Sequence, residues 1–207
     1  MEINPRWEAN NTCFSKTLQN SGDIKMIPLK YAGIGSRTTP PNILHTMTRI
    51  AILLAHTGIE CSTGAAIGAD QAFGNGAIAG GGKLHIALPW DNYELAWQNS
   101  LKGQVTKTVL NPEFHVEAMQ SVKEFHPKWK DISQGAYKLH ARNFLIIQGC
   151  AFIICWTPNG AVKGGTGQAI RIAEKTGINV WNLGDKKTLD YFLADIEKRI
   201  NEIPEGF

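Results

Sequence analysis

Leu29-Lys30-Tyr31-Ala32-Gly33-Ile34-Gly35-Ser36-Arg37 reads as a short strand, Leu29–Ile34, that breaks into a glycine turn. Pro40-Pro41 then opens a helix at about Asn42, since proline suits the first helical turn. Ile43, Met47, Ile50, Leu53 and Leu54 recur at helical spacing until Gly58 ends the helix. A strand that turns through glycines into a helix is the opening unit of a parallel α/β sheet. Two further loops, Ser62-Thr63-Gly64-Ala65-Ala66-Ile67-Gly68-Ala69-Asp70 and Lys163-Gly164-Gly165-Thr166-Gly167-Gln168, also follow strand-like runs. In such a sheet all three loops meet at the carboxyl edge, where helix N-termini offer free N–H groups to anions.

The same alternation extends outward. Ile59–Ser62 is the second strand, Ala69–Ala79 a helix of small residues, and Leu84–Leu88 a third strand stopped by Pro89. The middle is less regular, with helices over Asp91–Asn99 and Pro112–Phe125 and a strand near Thr106–Leu110. Ser133–Gln148 is an amphipathic helix, and the apolar run Ala151–Trp156 suits the sheet centre. Gly165–Lys175, Ile178–Asn182 and Thr188–Ile200 complete the pattern as helix, strand and helix. This predicts an α/β fold, Rossmann-like and doubly wound, with a mainly parallel sheet and helices on both faces. Residues 1–26 are polar and aperiodic and are predicted to form an arm, with Trp7 and Phe14 as anchors, ahead of a single domain over 27–207.

A length of 207 residues suits one well-buried core. The net charge of +3 is mild and evenly spread, which argues against a nucleic-acid surface and suits an anionic small molecule. No apolar stretch reaches the roughly 20 residues that cross a bilayer; Phe144–Trp156 is interrupted by Gln148 and Gly149. The first residues carry no signal-peptide pattern, so the expected location is the cytoplasm. Cys13, Cys61, Cys150 and Cys155 form no close pair and are expected to be reduced structural thiols. The six histidines have no ligand spacing, so no metal is expected, and no cofactor either.

Candidate ligand contacts lie on the loops. Gly33 and Gly35 permit close approach of a phosphate or sugar, Ser36 caps or donates, and Arg37 offers a planar fork. The plain alternative is a strand-to-helix turn with an exposed arginine. The pattern is not a full GxGxxG, and no acid follows about 20 residues on, which disfavours an ordinary NAD site. On the second loop, with Thr63, Gly64 and Gly68, Asp70 either complements the helix end or accepts from a ribose diol. Pro89-Trp90 brings an aromatic face to the same edge, for base stacking or for packing. Beyond the Trp156-Thr157 corner, Gly164, Gly165 and Thr166 make the best phosphate cradle, with Gln168 beside it. A Walker A loop is absent. Arg142-Asn143 lies on the preceding helix, where spacing alone reads Arg142 as an ordinary solvated arginine. Lys138, one turn earlier, shares its face.

Gly33-Ile34-Gly35-Ser36-Arg37, Thr63-Gly64-Ala65 with Gly68-Ala69-Asp70, Leu88-Pro89-Trp90, Ala141-Arg142-Asn143 and Gly164-Gly165-Thr166 occur in an order that resembles the SLOG superfamily of Rossmann-like domains. That superfamily takes in DNA-processing protein A, the Lonely Guy cytokinin-activating enzymes and nucleotide-sensing domains of bacterial immune effectors. Within that superfamily the chain resembles small stand-alone members frequent in phage genomes. The resemblance implies a ligand pocket at the sheet edge and homo-oligomerisation, for which the apolar faces of helices 42–57 and 133–148 are candidates. It also gives Arg142 a functional role, because Lonely Guy enzymes carry an arginine on that helix. Their PGGxGTxxE loop ends in a catalytic glutamate, whereas the position three after Thr166 is Ala169, and Gln168 is no general acid or base. The leading expectation is therefore a protein that captures a nucleotide-derived small molecule of the ADP-ribose or cyclic-nucleotide type, in a phage an immune signal. One alternative is an N-glycosidic hydrolase that uses Asp70 and Arg142. Another is a recombination mediator that binds single-stranded DNA, a less favoured partner on charge grounds.

Overall fold

The computed structural model describes residues 29–201; the expected arm, with Trp7, Cys13 and Phe14, lies outside the described residues. Strands β1 (Lys30–Gly35), β2 (Glu60–Thr63), β3 (Lys83–Leu88), β4 (Gln104–Val109), β5 (Phe152–Trp156) and β6 (Asn179–Asn182) form one sheet in the order β4-β3-β2-β1-β5-β6. Every pairing is parallel. Helices α1 (Pro41–His56), α2 (Ala69–Ala79), α3 (Leu95–Ser100), α4 (Val116–Phe125), α5 (Gln134–Ile147), α6 (Gly164–Thr176) and α7 (Lys186–Asn201) connect and cover it. The doubly wound Rossmann-like architecture is the one the alternation predicts.

Successive strand residues face opposite sides, which divides the core in two. Tyr31, Cys61, Leu84, Ile86, Phe152 and Ile154 pack with Met47, Ile50 and Phe73 under α1 and α2. Ala32, Ile34, Ile153 and Cys155 pack with Leu145, Ile146, Ile170 and Ile172 under α5 and α6. The apolar faces of α1 and α5, expected at a dimer interface, are thus turned into the protein's own core: Ile43, Met47 and Ile50 of one and Leu145, Ile146 and Ile147 of the other are buried.

Helix ends depart from expectation where local hydrogen bonds compete. α3 starts at Leu95, because residues 91–94 form a turn in which the Tyr93 N–H donates to Trp90 O and Glu94 adopts a left-handed φ of 52°. α4 starts at Val116, because the Asn111 N–H donates to His115 Nδ1 and the Glu113 N–H to Asn111 Oδ1. α7 starts earlier than expected, capped by Asp185, which accepts from the Thr188 N–H at 3.0 Å. Winding proceeds outward from β1 to β4 and then resumes on the other side of β1 with β5, so the switch point falls between β1 and β5. Crevices at that point, outside the carboxyl ends, are where open α/β sheets bind ligands.

Candidate functional site

The glycines of the first two loops are occupied by the protein itself. A Cβ on Gly33 would run into the Phe73 ring, and one on Gly35 would meet Ala69 Cβ at 2.6 Å. Gly68, at a φ of 95°, lies against Ser36 O and Arg37 Cα, so the two loops are in backbone contact. Thr63 Oγ1 donates to Gly33 O at 2.6 Å across the strands. Ser36 Oγ accepts from the Thr38 N–H, and the Ser36 N–H donates to Trp156 O. Thr157 is buried, with its N–H on Asn182 Oδ1 and its hydroxyl accepting from Asn182 Nδ2. These residues build the edge and hold the first two loops and the Trp156-Thr157 corner in fixed relation.

What they frame is charged and buried. Asp70, on the first turn of α2, accepts from the Ala66 N–H at 3.2 Å and lies 3.5 Å from Arg142 Nη1. Ala65, in the left-handed region at a φ of 66°, bends the loop so that this amide faces the carboxylate. Arg142 is not solvated, as spacing alone suggests, but only 6% exposed. It reaches inward because Gly64 has no side chain. Burial pushes the Asp70 carboxyl above its ordinary range, against the opposing pull of Arg142, the Ala66 and Gly35 amides and Arg37. The carboxylate is therefore enclosed by groups of the protein itself.

Tyr93, which the sequence reading passes over, joins two loops to this pair. Arg37 Nη2 donates to its hydroxyl at 3.0 Å, and the Arg142 guanidinium lies 5.9 Å from its ring centre. Trp90, half-buried, meets Tyr93 edge-on at 5.3 Å, and Pro89 is buried beneath. Two arginines, one carboxylate and two aromatic rings thus converge at the carboxyl edge.

From Arg142 a polar chain continues to the third loop. Arg142 Nη1 donates to Asn143 Oδ1 at 3.2 Å. Asn143 Nδ2 donates to Gln168 Oε1 at 3.0 Å and to Gly165 O at 3.1 Å. Gln168 Oε1 lies 2.8 Å from His140 Nδ1. Buried polar groups ordinarily find partners. Among the described residues three buried side-chain atoms have none, and two are on this chain: Arg142 Nε and Gln168 Nε2. The third is the hydroxyl of Tyr31. Beside the chain, Gly164 and Gly165 are exposed, a Cβ on Gly164 would meet nothing, and Thr166 is half-buried. The first N–H groups of α6 have no partner within the helix and carry its positive end.

The sequence places His140 near Arg142 without giving it a ligand role, and Tyr93 is not singled out at all. His140 sits three positions before Asn143 on α5, a spacing that shares a helix face. Tyr93 gave no signal, since its contact with Arg37 spans 56 positions. Arg142, one turn on from Lys138, is engaged by Asp70 and Asn143.

No family model matches the chain, and no curated protein matches it significantly. Solved structures do. DNA processing protein A of Helicobacter pylori, described for its single-stranded DNA binding mode, superposes with a TM-score of 0.53 at 20% identity, over 87% of this chain and 82% of that one. DNA processing protein A (DprA) of Streptococcus pneumoniae gives 0.51 at 17% identity, over 75% of this chain and 50% of that one. The Moco carrier protein of Chlamydomonas rheinhardtii gives 0.49 at 15% identity, over 84% and 86%. The likeness is one of fold, and the chain spans about half of the pneumococcal protein. The chain has the Rossmann-like fold found in DNA processing protein A.

Proposed function

We propose that the protein binds a phosphate-bearing, nucleotide-type small molecule at the carboxyl edge, between the first loop and the N-terminus of α6. The observation that carries this reading is the pair of buried, partnerless donors, Arg142 Nε and Gln168 Nε2, on one polar chain beside an open glycine-rich helix end. A ligand with several acceptor oxygens answers that arrangement, and Arg37, Arg142 and the helix end supply the charge. Trp90 and Tyr93 offer aromatic surface for a base. Capture without turnover fits the chemistry better than hydrolysis of the Lonely Guy kind. In the register of Gly164-Gly165-Thr166-Gly167, Arg171 and not a carboxylate stands where that family's loop carries its glutamate, and Asp70 is enclosed by Arg142 and two amides. In a phage, such capture would sequester a host signal, as the resemblance suggests.

The test is to incubate the protein with nucleotides and ADP-ribose derivatives, filter, denature by heat and identify what is released by mass spectrometry. Release of an intact compound supports capture, and a cleaved product moves the reading to the hydrolase. Retention of nothing overturns it.

A single-stranded nucleic acid is the second reading, favoured by one feature outside the loops. Trp129 is half-buried, with Lys123 Nζ at 5.8 Å and Lys130 Nζ at 5.5 Å from its ring. Basic groups interleaved with an aromatic face suit stacking on single strands. This reading expects oligonucleotide binding that weakens steeply with salt and is lost in Trp129→Ala.

A further inference from the structure

We propose that His140 completes the anion site, contacting a terminal phosphomonoester at the N-terminus of α6 through its Nε2 and taking up a proton as that group docks; this rests on the reading above. The hydrogen-bond chain fixes which nitrogen is available. Asn143 can sit only one way round, because its Oδ1 faces a guanidinium N–H of Arg142 and its Nδ2 faces the carbonyl of Gly165. The Gln168 atom that Nδ2 meets at 3.0 Å must then be an acceptor, which is Oε1. That same oxygen lies 2.8 Å from His140 Nδ1, so Nδ1 carries the hydrogen. In the neutral ring the lone pair is left on Nε2.

The ring stands beside the open helix end. A Cβ on Gly165 would lie 3.9 Å from His140 Cε1, the carbon between the two nitrogens. The partnerless Nε2 of Gln168, whose residue is fully buried, belongs to the same early turns of α6. His140 faces His126 of the α4–α5 loop at 4.3 Å between ring centres, Arg142 of its own helix and Arg171 of α6. Burial, with the electrostatic effect of these neighbours, holds the free imidazole below its ordinary pKa, against the pull of Gln168. A dianion at the helix end reverses that balance, and the protonated Nε2 becomes a donor to it. A singly charged diester reverses it less, so the site selects phosphomonoesters over cyclic or internal diesters.

Calorimetry with AMP and with cyclic AMP, in buffers of different ionisation enthalpy from about pH 6 to 8, tests this against His140→Gln. AMP titrates in the same range, so the variant is the reference for its contribution. The expected result is AMP affinity at about pH 6 reduced roughly tenfold in the variant, with a smaller proton uptake, and unchanged affinity for cyclic AMP. Equal AMP affinity and equal proton uptake would overturn the proposal. So would nitrogen-15 spectra of the wild-type protein that show a neutral His140 under saturating AMP, a readout that stands even if the variant misfolds. Binding of cyclic AMP with no preference for AMP overturns this inference alone. Failure of the whole nucleotide panel to bind overturns the anion-binding reading as well.

Discussion

The guanidinium of Arg142 fills the space that a side chain on Gly64 would need, and a Cβ there would also press on Ile146 Cδ1. The glycine that the sequence marks as a ligand contact therefore makes room for an arginine from a helix nearly eighty residues away. Gly64→Ala should destabilise the fold by about 1–3 kcal/mol through overpacking. Because Arg142 is displaced, nucleotide affinity should fall as well, read by chemical denaturation and equilibrium binding on the same sample.

The Asp70–Arg142 pair predicts a lopsided double-mutant cycle. Arg142→Met leaves a buried carboxylate without its cation and should cost about 3–5 kcal/mol, whereas adding Asp70→Asn should recover much of that loss. Asp70 has its folded pKa raised, so the folded state binds the proton more readily than the unfolded one. Its contribution therefore becomes more favourable as the pH falls through the folded pKa, and more strongly so in Arg142→Met. Urea midpoints against pH for the four proteins would decide it.

Arg37 gives the opposite profile. Its side chain is exposed and donates to the Tyr93 hydroxyl, so Arg37→Ala should leave the melting temperature nearly unchanged. Affinity for a phosphate-bearing nucleotide should drop by about tenfold or more, the value of a charge-assisted contact. An unchanged affinity would remove Arg37 from the site.

His85 sets the acid sensitivity of the sheet. It lies between Ser62 Oγ at 3.0 Å and Thr108 Oγ1 at 2.9 Å, and Ser62 donates onward to Ile146 O. Burial, with some help from Lys30, lowers its pKa to about 4 from an ordinary 6.5. Between those values the unfolded chain takes a proton that the folded one refuses, so stability is lost as the pH falls from 6.5 toward 4. His85→Gln should flatten that part of the stability curve in urea titrations.

Cys61, Cys150 and Cys155 are free and buried, and desolvation raises each thiol to about 12. With almost no thiolate present, they should stay unmodified by iodoacetamide at mildly alkaline pH and react only on unfolding. Peptide mapping of native and denatured protein would show it.

Much of the fold was legible because strand and helix periods repeat and glycine or proline marks most joints. Leu84–Leu88 and Ala151–Trp156 announce buried parallel strands, and Ala69–Ala79 a helix small enough to lie flat on them. The starts of α3 and α4 were not legible, since a left-handed Glu94 and the Asn111–His115 hydrogen bond depend on geometry rather than composition. At the candidate site, the loops that the sequence singles out do lie at the carboxyl edge, but the division of labour within them is not legible. Whether a glycine is open to a ligand, as at Gly164, or filled by a neighbour, as at Gly33, is decided by side chains remote in sequence. The same is true of Arg142, whose inward course depends on Gly64 and Asp70 rather than on its own helix.

Gly76, Gly80 and Gly82 bring the α2 segment against Thr48, Ile52 and Ala55 of α1 so closely that a Cβ at any of them would strike that helix. Two helices in backbone contact cannot slide or tilt without collision, so this flank of the sheet behaves as a stiff plate carrying the first two loops. Across the switch point, the start of α6 has open space at Gly164. The molecule is mechanically unequal: one side of the crevice is braced by helix-on-helix contact, and the room for adjustment lies on the other.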